Sequence, residues 1–277
     1  MEKVSNIIPY FIKQLNGIVQ EREIISLAYI SIDFLLGYNR SDCIIHSVKD
    51  ITSEVSDRIK QIIADLKTNK PIQHIIGETE FYELKFKLNE HALIPRPETE
   101  ELVKWILQHE FTSALDIGTG SGCIAIALRK NKDAEISAID VSESALLVAK
   151  ENAKINEVEI NFLLQDILKT TALPKADVIV SNPPYVLDME KEIMLDNVLN
   201  NEPHLALFVP DNNPLLFYKK IAELAFTSLS KNGLLFFEIN ERFGKETVAM
   251  LNAIGFVDIE LKKDINDKDR MIKATKN

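Results

Sequence analysis

The 277-residue chain has few cysteines and no long apolar run. Its two cysteines, Cys43 and Cys123, form neither a Cys-x-x-Cys pair nor a Cys/His cluster, so we expect no metal site and a reducing compartment. No segment reaches the roughly 18 uncharged apolar residues that span a bilayer. Residues 1–20 also lack the apolar run and cleavage site of a secretory signal. These absences predict a soluble cytoplasmic protein without membrane contact.

Basic residues are also in short supply. The chain has 32 Lys and Arg against 42 Asp and Glu, a net charge of −10. Residues 1–70 hold nine of each sign, so the whole negative excess lies in residues 71–277. A protein that binds nucleic acid through phosphates needs a basic surface, because its affinity comes from counterion release. The bulk charge therefore argues mildly against a DNA or RNA partner, although it leaves a local basic patch open.

Residues 1–70 have the apolar periodicity of helices. At the start of the chain, apolar residues recur at spacings of three and four, as a buried helix face requires: Ile7, Ile8, Phe11, Ile12 and Leu15. Further helices are predicted at Glu21–Leu36 and Thr52–Thr68, which end near Gly37 and Asn69. We expect a small helical bundle here.

The pattern changes between residues 71 and 97. Apolar residues partly alternate with polar ones at Phe81, Leu84, Phe86 and Leu88, which predicts a β-hairpin linking two domains. The prolines of the following Ile-Pro-Arg-Pro-Glu stretch restrict their predecessors to extended backbone. Helical spacing then resumes at Glu98–His109.

Beyond residue 112, strands and helices alternate. Short apolar runs of strand length are Ala114–Ile117, Ile136–Ile139, Ile160–Leu164, Val178–Val180 and Leu234–Ile239. Helices are predicted between them at Gly122–Lys130, Ser144–Asn156 and Leu215–Ser230. This alternation is typical of a parallel, doubly wound α/β sheet. The last two runs, Phe256–Lys262 and Arg270–Ala274, are joined without a helix and predict an antiparallel hairpin at the sheet edge.

A glycine-rich loop follows the first of these strands. Gly118, Gly120 and Gly122 permit a tight turn and a close approach of a ligand to the backbone. A nicotinamide or flavin site uses Gly-x-Gly-x-x-Gly, but here Cys123 stands where that pattern needs its last glycine. Asp116 suits a cationic ligand group, such as an amino terminus, and would repel a pyrophosphate. The Asp-x-Gly-x-Gly-x-Gly loop resembles that of class I methyltransferases.

The next two strands also end near acidic residues. Asp140 is suited to accept hydrogen bonds from the two hydroxyls of a ribose, although it could instead cap the helix that begins at Ser142. The resemblance to class I methyltransferases implies that Asp166 and Ile167 meet an adenine, the carboxylate accepting from N6 and the isoleucine covering the ring. Ligands of such sheets bind outside the carboxyl ends of the strands, so the three loops predict one nucleoside site.

The fourth strand ends in Asn182-Pro183-Pro184-Tyr185. The two prolines stiffen the turn and remove backbone donors. An amide nitrogen is a feeble nucleophile, and acceptors at both of its N–H bonds would orient and polarise it. The Asn182 side-chain oxygen and the Pro183 carbonyl are suited to this, and Tyr185 offers a flat face for a planar group. No strong general base is needed, because the methylated nitrogen can lose its proton afterwards.

Further segments resemble the peptide chain release factor glutamine methyltransferases (the HemK/PrmC family). They are Gly77–Tyr82, Leu93–Glu100, Val180–Val186, Asn201–Pro203 and Asp267–Ala274. The helical N-terminal part resembles the family too, so the likeness runs over nearly the whole chain. The stretch Ile-Pro-Arg-Pro-Glu-Thr-Glu, which begins at Ile94, is highly specific.

This resemblance implies a class I methyltransferase with a seven-stranded, Rossmann-like doubly wound sheet. It implies transfer of methyl from S-adenosylmethionine, leaving S-adenosylhomocysteine, to the glutamine of the Gly-Gly-Gln motif of release factors. The cofactor residues expected are Asp116, Gly118, Thr119, Gly120, Ser121, Gly122, Asp140, Asp166, Ile167 and Asn182. The substrate-binding residues expected are Asn182, Pro183, Pro184, Tyr185, Val186 and Arg96. The catalytic residues expected are Asn182, Pro183 and Tyr185.

The resemblance also suggests how the chain is organised. We expect residues 1–70 to dock the release factor, residues 71–97 to form the hairpin linker and residues 98–277 to carry the reaction, in a monomer. Arg96 and Glu98 are expected to order the entry to the site, or else to form only an interdomain salt bridge. Two rival functions stay open. A nucleic-acid amine methyltransferase would want a basic cleft and a base-recognition insert, and the intact motifs argue against a non-catalytic binder of release factors.

Overall fold

The structure, a computed structural model, describes residues 2–194 and 196–277. The chain divides into two compact units. The first comprises Met1–Gly77 with Asp196–Asn201, and the second comprises Glu78–Leu195 with Glu202–Asn277. Among the described residues, the helices are too short or too polar to cross a membrane.

The regular elements follow in chain order. The helices are α1 (Ile7–Leu15), α2 (Glu21–Leu36), α3 (Arg40–Ile45), α4 (Ser53–Leu66), α5 (Ile72–Ile76), α6 (Pro97–Ile106), α7 (Cys123–Asn131), α8 (Glu143–Ile155), α9 (Asp196–Leu199), α10 (His204–Leu207), α11 (Leu216–Ser228) and α12 (Gly244–Ile254). The strands are β1 (Glu78–Phe81), β2 (Leu84–Lys87), β3 (Ser113–Ile117), β4 (Glu135–Asp140), β5 (Asn161–Leu164), β6 (Ala176–Ser181), β7 (Val186–Leu187), β8 (Phe208–Val209), β9 (Leu229–Glu238), β10 (Phe256–Lys263) and β11 (Asp269–Lys276).

The first unit is a helical bundle, as its periodicity predicts. α1, α2 and α4 bury their apolar faces in one core, which includes Ile7, Phe11, Ile24 and Ile59. α2 ends at Gly37, whose left-handed backbone (φ 65°) closes the helix. The periodicity did not predict α3 and α5, because helices of six and five residues are too short to show a repeat.

The second unit is built on a seven-stranded sheet with the order β10-β11-β9-β6-β3-β4-β5. β9, β6, β3, β4 and β5 are parallel, and β11 pairs antiparallel with both β9 and β10. The predicted doubly wound sheet and its antiparallel C-terminal hairpin are confirmed. α6 and α7 pack on one face of the sheet, and α11 and α12 pack on the other. Both faces of the central strands are therefore buried, which explains their continuous apolar runs.

Two segments differ from the prediction. Helix α12 occupies a stretch for which no element was predicted, although its buried residues Thr247 and Leu251 lie at helical spacing. The region predicted as the hairpin linker begins with helix α5, and the hairpin itself is confined to β1 and β2. Helix α5 belongs to the first compact unit, and the hairpin belongs to the second.

Candidate active site

A cleft opens at the carboxyl ends of β3, β4, β5 and β6. Its empty volume, which includes open solvent at the mouth, is about 1080 Å³. Eight of the predicted site residues border it: Gly118, Gly120, Asp140, Asp166, Ile167, Asn182, Pro183 and Pro184. Apolar side chains complete the wall, among them Ile117, Ile139, Val141 and Phe217. The cleft is thus an apolar slot with a few convergent polar groups.

The three loop glycines have different functions. All three have positive φ, 76° at Gly118, 55° at Gly120 and 83° at Gly122. A Cβ added at Gly118 or Gly120 would meet no described atom within 4 Å, so these two leave room for a ligand. A Cβ at Gly122 would come within 3.1 Å of Ala149 Cβ. Gly122 therefore allows α7 and α8 to pack together.

Two side chains hold the glycine loop in place. Asp140 accepts from the backbone N–H of Gly120 (2.8 Å) and from that of Ser142 (2.9 Å), so it braces both the loop and the start of α8. The N-cap of α8 is Ser142, whose hydroxyl accepts from the Ala145 N–H. The helix-capping role considered for Asp140 therefore belongs to Ser142. Asn152, fully buried on α8, donates to the Ser121 carbonyl (2.9 Å). Sequence reasoning missed Asn152, because a lone Asn in a helix pattern carries no signal.

Asp116 carries a buried carboxyl group under the loop. It is 1% exposed, and its Oδ2 accepts from the Thr119 hydroxyl (2.6 Å). Its Oδ1 has no hydrogen-bonding partner among the described residues. Burial raises the pKa of Asp116 from 3.8 to about 7, although the Thr119 hydroxyl opposes the shift. Asp116 is buried and does not border the cleft, and the same holds for the predicted site residues Thr119, Ser121 and Gly122.

The raised pKa predicts how stability depends on pH. A buried acid favours its neutral form, so the stability that Asp116 contributes is complete below pH 3.8 and is lost as pH rises to about 7. Relative to Asp116→Asn, which cannot ionise, we expect wild type to lose on the order of 4 kcal/mol across this window. Urea unfolding of both proteins at intervals between pH 4 and 8 checks this. A pH-independent difference would contradict it.

The Asn-Pro-Pro-Tyr loop is tied to the sheet on both sides. Before it, the Ser181 hydroxyl donates to the Ile117 carbonyl (2.6 Å), which joins β6 to β3 at the cleft floor. Within it, Asn182 Nδ2 donates to the Thr99 hydroxyl oxygen (3.4 Å), and Pro183 and Pro184 border the cleft. Asn182 therefore reaches the cleft from a rigid corner.

Tyr185 and Val186 do not border the cleft. The Tyr185 ring packs against the core on the α11 face, and its hydroxyl donates to Glu238 Oε1 (3.1 Å). Val186 begins β7 and pairs with Phe208 of β8. The flat-face role of Tyr185 and the substrate contact of Val186 stay predictions.

Asp166 and Ile167 follow β5 at the cleft edge. Asp166 accepts from the Leu168 N–H (3.0 Å) and pairs with the exposed Lys169 (2.9 Å). The hydrogen bond from Lys169 lowers the pKa of Asp166, so this carboxylate is an acceptor at neutral pH. An apolar neighbour and an ionised acceptor suit the ring and the exocyclic amine of adenine.

Arg96 pairs with Glu202, and both residues lie in the second unit, so the bond is not interdomain. The Glu202 side chain is 1% exposed, and its Oε2 has no hydrogen-bonding partner among the described residues. Burial raises the pKa of Glu202, and Arg96 opposes that shift. Pro203, Leu205 and Ala206, which follow Glu202, border the cleft. The pair thus fixes the start of one cleft wall.

Glu98, the other residue expected at the entry to the site, accepts a hydrogen bond from the Asn266 side chain (3.4 Å).

This pair leads to a second prediction. Arg96→Ala leaves the Glu202 carboxylate buried without its counter-charge. We expect the free energy of unfolding to fall by about 2 kcal/mol, less than for a fully buried pair because Arg96 is partly exposed. The double variant Arg96→Ala/Glu202→Gln should recover at least half of the loss, since it removes the unpaired charge. Chemical denaturation measures both, and equal stability of the two variants would argue against the explanation.

The cleft fits S-adenosylmethionine. Asp140 and the apolar slot suit a nucleoside, because a carboxylate accepts from ribose hydroxyls while aliphatic side chains cover a base. Open space at Gly118 and Gly120 suits the methionine chain. The buried Asp116 oxygen without a hydrogen-bonding partner suits a nearby ammonium, which would stabilise the ionised carboxyl.

Comparison with known proteins agrees with this geometry. Residues 97–208 match the model of the methyltransferase small domain, and residues 12–77 match that of the PrmC N-terminal domain. A crystal structure of a methyltransferase from Pyrococcus furiosus superposes with a TM-score of 0.56 at 19% identity, over 82% of this chain and all of that one. This likeness shows the fold.

The curated relatives are closer in sequence. The chain is 48% identical to the release factor glutamine methyltransferase of Flavobacterium psychrophilum, over 98% of each chain. It is 40% identical to that of Bacteroides thetaiotaomicron, over 99% of this chain and 100% of the relative. With that of Streptococcus pneumoniae it shares 41% identity, over 88% of this chain and 87% of the relative. The chain therefore belongs to the family of release factor glutamine methyltransferases.

Proposed function

We propose that the chain transfers the methyl group of S-adenosylmethionine to the side-chain amide nitrogen of the glutamine in the Gly-Gly-Gln motif of peptide chain release factors. The observation that carries this proposal is the corner at Asn182 and Pro183. It offers a side-chain amide and a backbone carbonyl with no following N–H at the edge of the cleft.

Separate groups of residues would bind the cofactor and orient the substrate. Bound S-adenosylmethionine supplies an electrophilic methyl group. Asp140 holds the ribose, Asp166 and Ile167 hold the adenine, and the glycine loop above Asp116 holds the amino-acid end. Asn182 Oδ1 and the Pro183 carbonyl each accept from one N–H of the substrate amide. They orient the nitrogen and stabilise the positive charge that develops on it.

No residue of the corner needs to act as a strong base. Methyl transfer leaves the amide nitrogen positively charged and therefore acidic, so it can release one proton to water and become a neutral N-methyl amide. Cys123, the cysteine next to the loop, is not suited to be a nucleophile, because burial raises its pKa to about 12. We therefore infer that positioning and charge stabilisation make up the chemistry of this chain.

The first unit is proposed to dock the release factor. Its support is an apolar surface near the end of α3, where Ile44, Ile45 and Val48 are 77%, 70% and 74% exposed. Neighbouring exposed apolar side chains can mark a protein–protein contact. The hairpin β1–β2 would link the docking and catalytic parts, and the protein would act as a cytoplasmic monomer without contacting nucleic acid directly.

Labelled S-adenosylmethionine tests this proposal. The protein is incubated with release factor, with release factor whose Gly-Gly-Gln glutamine is replaced by alanine, or with DNA. Label in the first sample alone supports the proposal. Label in DNA would favour the nucleic-acid amine methyltransferase. The absence of label from both release factor and DNA would favour a non-catalytic binder. Mass spectrometry of the labelled peptide locates the methyl group.

A further inference from the structure

A buried carboxylate lies behind the Asn-Pro-Pro-Tyr loop. Glu238, the last residue of β9, is 1% exposed, and it receives two hydrogen bonds from hydroxyls. Thr99 of α6 donates to its Oε2 at 2.6 Å, and Tyr185 donates to its Oε1 at 3.1 Å. Neither Glu238 nor Thr99 borders the cleft, so any effect of theirs on the reaction passes through another residue.

The hydrogen-bond geometry fits the ionised form of Glu238. A distance of 2.6 Å is typical of a hydroxyl that donates to a charged oxygen. Burial raises the pKa of Glu238 and the nearby Glu98 adds to the rise, while the two hydroxyls and Arg270 oppose it. An ionised carboxylate has only acceptors, so both hydroxyls must point their hydrogens at it.

This arrangement determines what Thr99 offers to Asn182. The single hydroxyl hydrogen of Thr99 is committed to Glu238, so its oxygen can only accept from other groups. The side-chain group of Asn182 that faces Thr99 at 3.4 Å must then be the NH2 group. Because oxygen and nitrogen lie on opposite sides of a carboxamide, Asn182 Oδ1 is turned away from Thr99.

We propose that Glu238 and Thr99 are positioning residues that fix the Asn182 carboxamide with its oxygen toward the substrate nitrogen. This proposal rests on the proposed function, in which Asn182 Oδ1 accepts from the substrate amide. With the carboxamide flipped, two NH2 groups would face each other and the acceptor would be lost. The hydrogen bonds that join Glu238, Thr99 and Asn182 therefore select one of the two orientations of the Asn182 carboxamide, the one with its oxygen toward the substrate.

Thr99→Val tests the proposal, since valine keeps the shape of threonine and removes its hydroxyl. We expect kcat for release-factor methylation to fall at least 10-fold, with the Kd for S-adenosylmethionine unchanged within 2-fold. Thr99→Ser, which keeps the hydroxyl, should restore kcat to within 3-fold of wild type. Thr247→Val is the matched control, because Thr247 is a fully buried threonine on α12 whose hydroxyl donates to the Phe243 carbonyl.

A double-variant cycle includes Glu238. Glu238→Met removes the acceptor that commits the Thr99 hydrogen, so it should lower kcat at least 5-fold. Thr99→Val/Glu238→Met should be no slower than the slower single variant, because both changes break the same connection. The double variant also removes both partners of the buried bond, which protects folding better than either single change.

Nuclear magnetic resonance gives a readout that does not need turnover. The Asn182 side-chain NH2 signals, assigned by their loss in Asn182→Asp, should shift in Thr99→Val and stay in place in Thr247→Val. If wild type does not methylate release factor, the proposed function fails and these shifts alone judge the positioning. If wild type is active but Thr99→Val keeps normal kcat, or Thr99→Ser is equally defective, the positioning proposal is overturned.

Discussion

Replacement of Asn182 by alanine is expected to lower kcat about 1000-fold, the loss seen when one preorganised hydrogen-bonding group is removed from a transition state. The variant loses the acceptor at the corner and leaves the Pro183 carbonyl to hold the substrate amide alone. The Kd for S-adenosylmethionine should change less than about 3-fold, because Asp140, Ile167 and the glycine loop are untouched. Single-turnover assays and calorimetry measure the two constants.

Asn161→Ala is the control for this change. Asn161 begins β5 at the opposite end of the sheet, where its side chain donates to the Ser137 hydroxyl (3.4 Å). Its replacement should leave kcat and cofactor Kd unaltered. If Asn182→Ala kept more than a tenth of wild-type kcat, the acceptor role of Asn182 would be wrong.

Some of this site could be predicted from the sequence because it lies in contiguous motifs. In a doubly wound sheet, residues just after a strand converge with those after its neighbours, so a glycine loop, two acids and a proline corner suffice to locate a cleft. The pattern of Asp116 to Gly122 therefore pointed to a ligand without any contact information. It could not show that Asp116 is buried beneath the loop and that Gly122 serves helix packing.

The supporting contacts could not be predicted because they join distant parts of the chain. Thr99 and Glu238 are 139 positions apart, and Arg96 and Glu202 are 106 apart. A lone Thr or Glu in an apolar pattern has no local signature, so only the folded arrangement shows its partner. For the same reason the motif did not show that the Tyr185 hydroxyl donates to Glu238.

The second large effect is expected at Asp140. Each of its carboxylate oxygens accepts from a backbone N–H, one of Gly120 and one of Ser142. Asp140→Asn replaces one oxygen by an NH2 group, which must then face one of those N–H donors. The loop and the ribose acceptor are disturbed together. We expect the Kd for S-adenosylmethionine to rise about 100-fold, equivalent to about 2.7 kcal/mol.

The same substitution at Asp177 separates cofactor binding from general damage. Asp177 Oδ2 also accepts from two backbone N–H groups, those of Thr112 and Ser113, but at the opposite end of the sheet. These bonds and the Thr112 hydroxyl hold the pKa of Asp177 to about 2. Asp177→Asn should therefore lower the free energy of unfolding by about 1–2 kcal/mol and leave the cofactor Kd within 2-fold. Calorimetric titration of both variants decides the matter: equal cofactor affinities would mean that Asp140 braces the fold and does not hold the ribose.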